Sequence, residues 1–166
     1  SQRYEGSFQL NDSLQGTAIF TYFMENGDTV KNGDFRFQQF IEQYRDSDTI
    51  HGFVLNGTYR PNVKDGPWRY VSRDFTVSGN PQALDARVVY DVSGREFLMH
   101  AQFQQGVAHG AYEILDRQLV NSQASDTTFL AHLHYQEGVV KGKINGYTSF
   151  LKMDGQFDSE GFPDGD

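Results

Sequence analysis

No cysteine occurs in the 166 residues. That excludes disulfide staples and thiolate metal sites and leaves the redox compartment open. No apolar run approaches the roughly 18 residues that a membrane-spanning helix needs. Basic residues are in the minority, 14 Lys and Arg against 22 Asp and Glu, for a net charge of −8. Non-specific affinity for nucleic acid comes largely from neutralised phosphates, so this balance argues against a nucleic-acid partner. The same balance weakens any reading as a binder of anionic lipid. Aliphatic residues are sparse too: the hydrophobic fraction is 37%, yet aromatics alone reach 14% and glycines number 17. Such a composition suits a thin sheet better than a thick globular core. The length fits one compact domain or one short array. Ser1 opens the chain in place of methionine, which fits a cleaved secretion signal or lipoprotein leader. The expected location is therefore periplasmic, cell-surface or secreted.

What the chain does have is a recurring hairpin. Its clearest copy is Gly57–Tyr70, where Gly57 lies two residues before Tyr59, Gly66 seven after it, and Trp68 and Tyr70 follow on one face. Phe103 has Ala101 before it, then Gly106, Gly110, Tyr112 and Ile114. Tyr135 repeats that frame with Gly138, Gly142 and Ile144. Phe8 and Phe157 head two copies with a turn one residue longer. Turns of this length need a residue at positive φ, which Gly tolerates freely and Asn or Asp better than most. Asn62 accordingly takes the place of Gly106 and Gly138, and Asp12 that of Gly161. Gly33-Asp34-Phe35 supplies the front half of a further copy. The interval of 44 residues between Tyr59 and Phe103 is close to two periods and implies a worn copy around Val71–Ala86. Self-similarity with a period in the twenties means an array whose units bury their apolar faces against one another.

These residues resemble MORN repeats: a Gly-x-aromatic strand, a turn, and a Gly-x-aromatic-x-aromatic return. The likeness is closest to the bacterial variant found in proteins loosely labelled as antitoxin components. It implies stacked antiparallel hairpins in an elongated, twisted sheet, and scaffolding or partner binding rather than catalysis. The expected fold is therefore an all-β antiparallel meander, a single array over residues 1–166 with anchors near Phe8, Phe35, Tyr59, Phe103, Tyr135 and Phe157. The last unit is expected to be incomplete, leaving an exposed or chain-paired edge strand.

The alternation supports this independently. Tyr4, Gly6, Phe8 and Leu10 alternate with Arg3, Glu5, Ser7 and Gln9, the period of a sheet with one buried and one wet face. One stretch is ambiguous. Over Phe35–Asp46, Phe37, Phe40, Ile41 and Tyr44 fall at helical spacing, and the repeat frame decides for strand.

Candidate chemistry is thin. His100 and His132 each lie three residues before an anchor, and His134 shares their outer face. Three imidazoles there could hold zinc or copper if the strands were adjacent, but solvated side chains on a wet face are the simpler reading. The acids Asp28, Asp34, Asp65, Asp74, Asp85, Asp154 and Asp158 fall mostly in turns or on the outward parity, where acids serve solubility. Ser149–Lys152 spells S-x-x-K with no partner motif, and Gly138–Lys143 is too short for a phosphate loop. No enzyme, cofactor or metal site is expected. The aromatics are the better candidates: Tyr59, Trp68, Tyr70, Phe103, Tyr112 and Tyr135 would line one face as a strip. Either they form a binding surface, since Tyr and Trp dominate interfaces and stack on sugars, or they are the core of the sheet. The functional expectation is a scaffold or protein-interaction module, with a protein partner or self-association. The alternative is a carbohydrate- or small-ligand-binding module using exposed Trp and Tyr.

Overall fold

A strand that alternates Tyr4, Gly6, Phe8 and Leu10 with polar residues puts every second side chain on one face, and the chain continues that way throughout. A computed structural model describes residues 1–43, 49–80, 89–148 and 152–163. Its strands are β1 (Gln2–Asn11), β2 (Leu14–Glu25), β3 (Asp28–Gln43), β4 (Thr49–Arg60), β5 (Val63–Asn80) and β6 (Val89–Gln104). They continue as β7 (Val107–Val120), β8 (Gln123–Gln136), β9 (Val139–Val140), β10 (Gly142–Thr148) and β11 (Lys152–Phe157). Spatial order follows chain order from β1 to β11, with the short β9 paired to β8 beside β10. Every pairing between strands is antiparallel, and no helix occurs among the described residues. The protein is an all-β meander that does not close into a barrel. Its accessible surface is 11264 Å², whereas a compact chain of 18.9 kDa would expose about 8,300 Å². The excess is that of a single layer.

One face is closed by its own rings. Ala18, Phe20, Phe35, Phe37, Phe53 and Trp68 form the buried cluster, with Tyr4, Phe8, Tyr22, Tyr59, Tyr70 and Phe103 packed around it. Ring contacts run from Tyr4 to Phe20 (4.8 Å), Phe35 (5.9 Å), Trp68 (5.9 Å) and Phe103 (6.4 Å), linking β1 to β6. Each such pair contributes about 0.5–1.5 kcal/mol beyond the area it buries. Small residues make the room. A Cβ at Gly57 would meet the Trp68 indole at 2.1 Å.

Phe35–Gln43 is strand, as the repeat frame requires; residues 44–46 lie outside the described residues. Asn62, Gly106, Gly138 and Gly161 all adopt positive φ, 60°, 85°, 83° and 87°. The amides of the first three donate to the carbonyls of Lys31, Lys64 and Ala108 in the preceding hairpin, at 2.8–2.9 Å. The turns are thus stitched together along one end of the sheet.

Several details of the expected repeat differ. Asp12 is not at positive φ; Asn11 Oδ1 instead accepts the amides of Ser13 and Leu14, both at 2.9 Å. The turn after Phe8 lies at the opposite end of the sheet from those after Tyr59, Phe103 and Tyr135, because β1 runs antiparallel to β4, β6 and β8. Gly33 (φ 108°) matches the closing Gly66 and Gly110 rather than Gly57, so Phe35 is a return-strand ring equivalent to Trp68. Tyr22, opposite Lys31 as Tyr59 is opposite Lys64, takes the anchor's place. No worn copy occupies the interval around Val71–Ala86 within the described residues. β5 has 18 residues and β6 has 16, and they pair directly as far as Asn80 and Val89. Long strands stretch the period without adding a unit.

Candidate functional site on the outer face

The second face was expected to be wet, and partly covered only where Ile19 and Phe23 point to it. Register makes it more organised. Arg36, Asn56, Arg69, His100, Glu113, His132 and Asn145 sit directly opposite one another on successive neighbours from β3 to β10. At ~4.8 Å per strand this polar row spans about 29 Å, perpendicular to the chain direction. Two residues along each strand lies an apolar row: Val54, Val71, Leu98, Leu115, Leu130 and Tyr147, again in direct register. Val71 is only 6% exposed.

Three hollows are strung along the polar row. The first, about 440 Å³, is bordered by Arg3, Ile19, Asp34, Arg36 and Asn56. The second, about 530 Å³, lies over Asn56, Thr58, Arg69, His100, Gln102 and Glu113. The third, about 230 Å³, is lined by Leu130, His132, Asn145, Tyr147, Lys152 and Asp154. Asn56 borders both of the first two. His132 Nδ1 lies 3.9 Å from Glu113 Oε1, both about half exposed. The floor therefore offers donors and acceptors of both signs, beside an aliphatic wall.

A buried acid anchors the far side of that wall. Glu96, 4% exposed, accepts from Arg73 Nε at 2.6 Å and from Arg117 Nη2 at 2.7 Å. Burial alone would raise its pKa, but the hydrogen bonds and charges of the two arginines outweigh that and hold it below the ordinary value. Both guanidiniums face the same carboxylate across neighbouring strands, which fixes register locally.

The expected site residues sit on the other face and do not form one strip. Trp68 is 4% exposed, deep in the ring cluster, with Tyr59 at 5.1 Å and Phe103 at 6.4 Å. Among the described residues its Nε1 has no hydrogen-bond partner. Tyr70 packs apart from them, between Phe53 (4.6 Å) and Phe97 (5.6 Å). Tyr112 and Tyr135 form a separate pair at 5.2 Å. Burial raises the pKa of Tyr59, Tyr70 and Tyr112, the last also through Tyr135. Two lysines lie over these rings. Lys31 Nζ is 5.6 Å from Tyr59 and 5.8 Å from Phe20, while Lys64 Nζ is 4.7 Å from Trp68 and 5.1 Å from Phe103. Burial lowers the pKa of Lys64.

His100 and His132 do share a row, with Glu113 between them, and His134 lies one row away opposite Ala111. No three His, Asp or Glu side chains converge on one point among the described residues. Of the acids, Asp65 pairs with Arg60 at 2.8 Å, Asp74 with His51 at 2.5 Å and Asp154 with Lys152 at 3.2 Å. Asp158 accepts backbone amides from Glu160 and Phe162. Asp85 and Ser149–Leu151 of the S-x-x-K match lie outside the described residues.

The sequence carried one usable signal for the outer face. Val71, Leu98, Leu115 and Leu130 sit on the parity opposite the anchors, where a wet face would hold polar groups. Glu96 carried none, because a paired buried acid and a solvated one look alike until register is known. Compared with protein-family models, curated proteins and solved structures, the chain matches none.

Proposed function

We propose that the protein is a non-enzymatic, MORN-like interaction module whose outer face takes an extended segment of a partner protein. The observation that carries this reading is the alignment of three hollows along one polar row beside one aliphatic row. An extended segment lying across the strands would set apolar side chains on Val54, Leu98 and Leu115. Its backbone and polar groups would meet Asn56, Arg69, His100 and Glu113. Shape and mixed polarity of this kind mark protein interfaces, which combine an apolar core with a satisfied polar rim. The ring face from β1 to β6 suits a supporting role, since its rings pack on one another there. Stacking a sugar on Trp68 would first require the indole to leave its cluster, which weighs against the carbohydrate reading. An exported location is compatible with a chain that uses no cysteine.

Site-specific photo-cross-linking in the native host tests this. A photoreactive residue at Gln102, on the groove wall, is expected to capture one dominant protein. The same residue at exposed Thr76, on the ring face, is expected not to. Equal capture from both positions, or none from Gln102, overturns the reading.

A further inference from the structure

On the ring face the protein lays its own ammonium group over neighbouring rings in two hairpins, and among the described residues none lies over the equivalent rings of the third. Lys31, Lys64 and Ala108 are structurally equivalent. Each carbonyl accepts the turn amide of the next hairpin, from Asn62, Gly106 and Gly138 respectively. Each lies opposite its hairpin's anchor, Tyr22, Tyr59 and Phe103, and two residues before a positive-φ glycine. Lys64 Nζ sits over the ring four residues on, Trp68, and over the next anchor, Phe103, at 4.7 and 5.1 Å. Lys31 likewise reaches the next anchor, Tyr59, at 5.6 Å. The corresponding rings around Ala108 are Tyr112, four residues on, and Tyr135, the next anchor; they contact each other at 5.2 Å.

We propose that Tyr112 and Tyr135, beside Ala108, form a binding site for an alkylammonium group, the chemistry of a lysine side chain. Within ~6 Å of a ring centroid a cation is attracted by the ring's negative face. Lys31 and Lys64 each carry an alkyl stem that ends in an ammonium over the rings, whereas Ala108 carries none, so an incoming alkylammonium would supply both. The net charge of −8 favours approach of a cation from solution. The site is on the opposite face from the polar row and stands independently of any partner there.

The test is titration with n-butylammonium, followed by NMR of the tyrosine rings, with n-butanol as the uncharged control. Tyr112 and Tyr135 resonances are expected to shift saturably with the amine and not with the alcohol. Ala108→Lys should place the chain's own ammonium at the site and abolish the shifts. Lys64→Ala should open a second site, so that n-butylammonium now also perturbs the fluorescence of Trp68. A lysine-rich peptide binding at least tenfold more tightly than the free amine would identify protein-borne lysine as the natural source; equal affinity would identify a small amine. Shifts shared by n-butanol, or shifts unchanged in Ala108→Lys, overturn the proposal.

Discussion

Replacing Gly57 by alanine isolates the contact on which the ring cluster depends. The new Cβ would fall 2.1 Å from Cδ2 and 2.3 Å from Cε2 of Trp68. To restore ordinary carbon contact the indole must retreat by about 1.4 Å. It has little freedom to do so, with Phe35 at 5.9 Å, Tyr59 at 5.1 Å and Phe103 at 6.4 Å around it. Overpacking of this kind costs about 1–3 kcal/mol, and complete loss of a buried Trp about 3–5 kcal/mol. The expected cost of Gly57→Ala is therefore about 2–4 kcal/mol, a large fraction of a stability of about 5–15 kcal/mol. Trp68 is the only tryptophan, so urea unfolding followed by its fluorescence reads both the cost and the local displacement. Native emission should move to the red as the indole lifts toward water. Gly79→Ala is the matched control: among the described residues, no heavy atom beyond its chain neighbours lies within 4 Å of its added Cβ, and reduced unfolded-state entropy should leave it neutral or stabilised by about 0.4–1 kcal/mol. A Gly57→Ala protein within about 0.5 kcal/mol of the parent, with unshifted emission, would refute the contact as the organising one.

Two further outcomes follow from neighbouring features. Because the folded-state pKa of Glu96 is lowered, its contribution is present above the unfolded value near 4.5 and is lost as pH falls through the folded value. The melting temperature of the parent should then fall more steeply on acidification than that of Glu96→Gln; parallel profiles would show that the arginines do not hold the carboxylate. Asn62 combines a φ of 60° with a side-chain oxygen that accepts the Lys31 amide at 2.9 Å. Asn62→Ala should cost about 1–3 kcal/mol, Asn62→Gly less, and both should speed hydrogen exchange at Lys31; equal costs would deny the strain at this position.

Much of the architecture was legible because strand parity is a strict period of two. Tyr59, Phe103 and Tyr135 could be phased from glycine offsets alone, and the turn residues Asn62, Gly106 and Gly138 all lie at positive φ. Unit count was less legible than strand length. The alternation through Trp68, Tyr70 and Ser72 runs on unbroken as a long strand should, yet the wide interval from Tyr59 to Phe103 equally fits two periods, so one long hairpin passed for two units. Phe8 and Phe35 were phased wrongly for a related reason: a small residue two before a ring occurs in both outgoing and return strands. Distinguishing Gly33 from Gly57 requires knowing which carries positive φ. The outer face was the least legible part. Whether Val71 or Glu96 is covered depends on Leu98, Arg73 and Arg117, which pairing brings together from separate strands. The expected site residues were identified for their chemistry, and packing divides them: Trp68 lies deep in the ring cluster, whereas Tyr112 and Tyr135 form a pair of their own.

Strand order that follows chain order also decides how the molecule answers a mechanical load. With β1 and β11 at opposite ends of the sheet, tension between them pulls across the strands, over about 40 Å at ~4.8 Å per step. Antiparallel ladders loaded this way open by peeling, one hydrogen-bonded pair after another, rather than by shearing a whole strand at once. Among the described residues the main contacts of each strand are with its neighbours in the sheet, so extension should proceed in small successive steps and reverse when tension falls. The stitched turns would set the size of each step. Under pull the sheet is a zipper rather than a clamp.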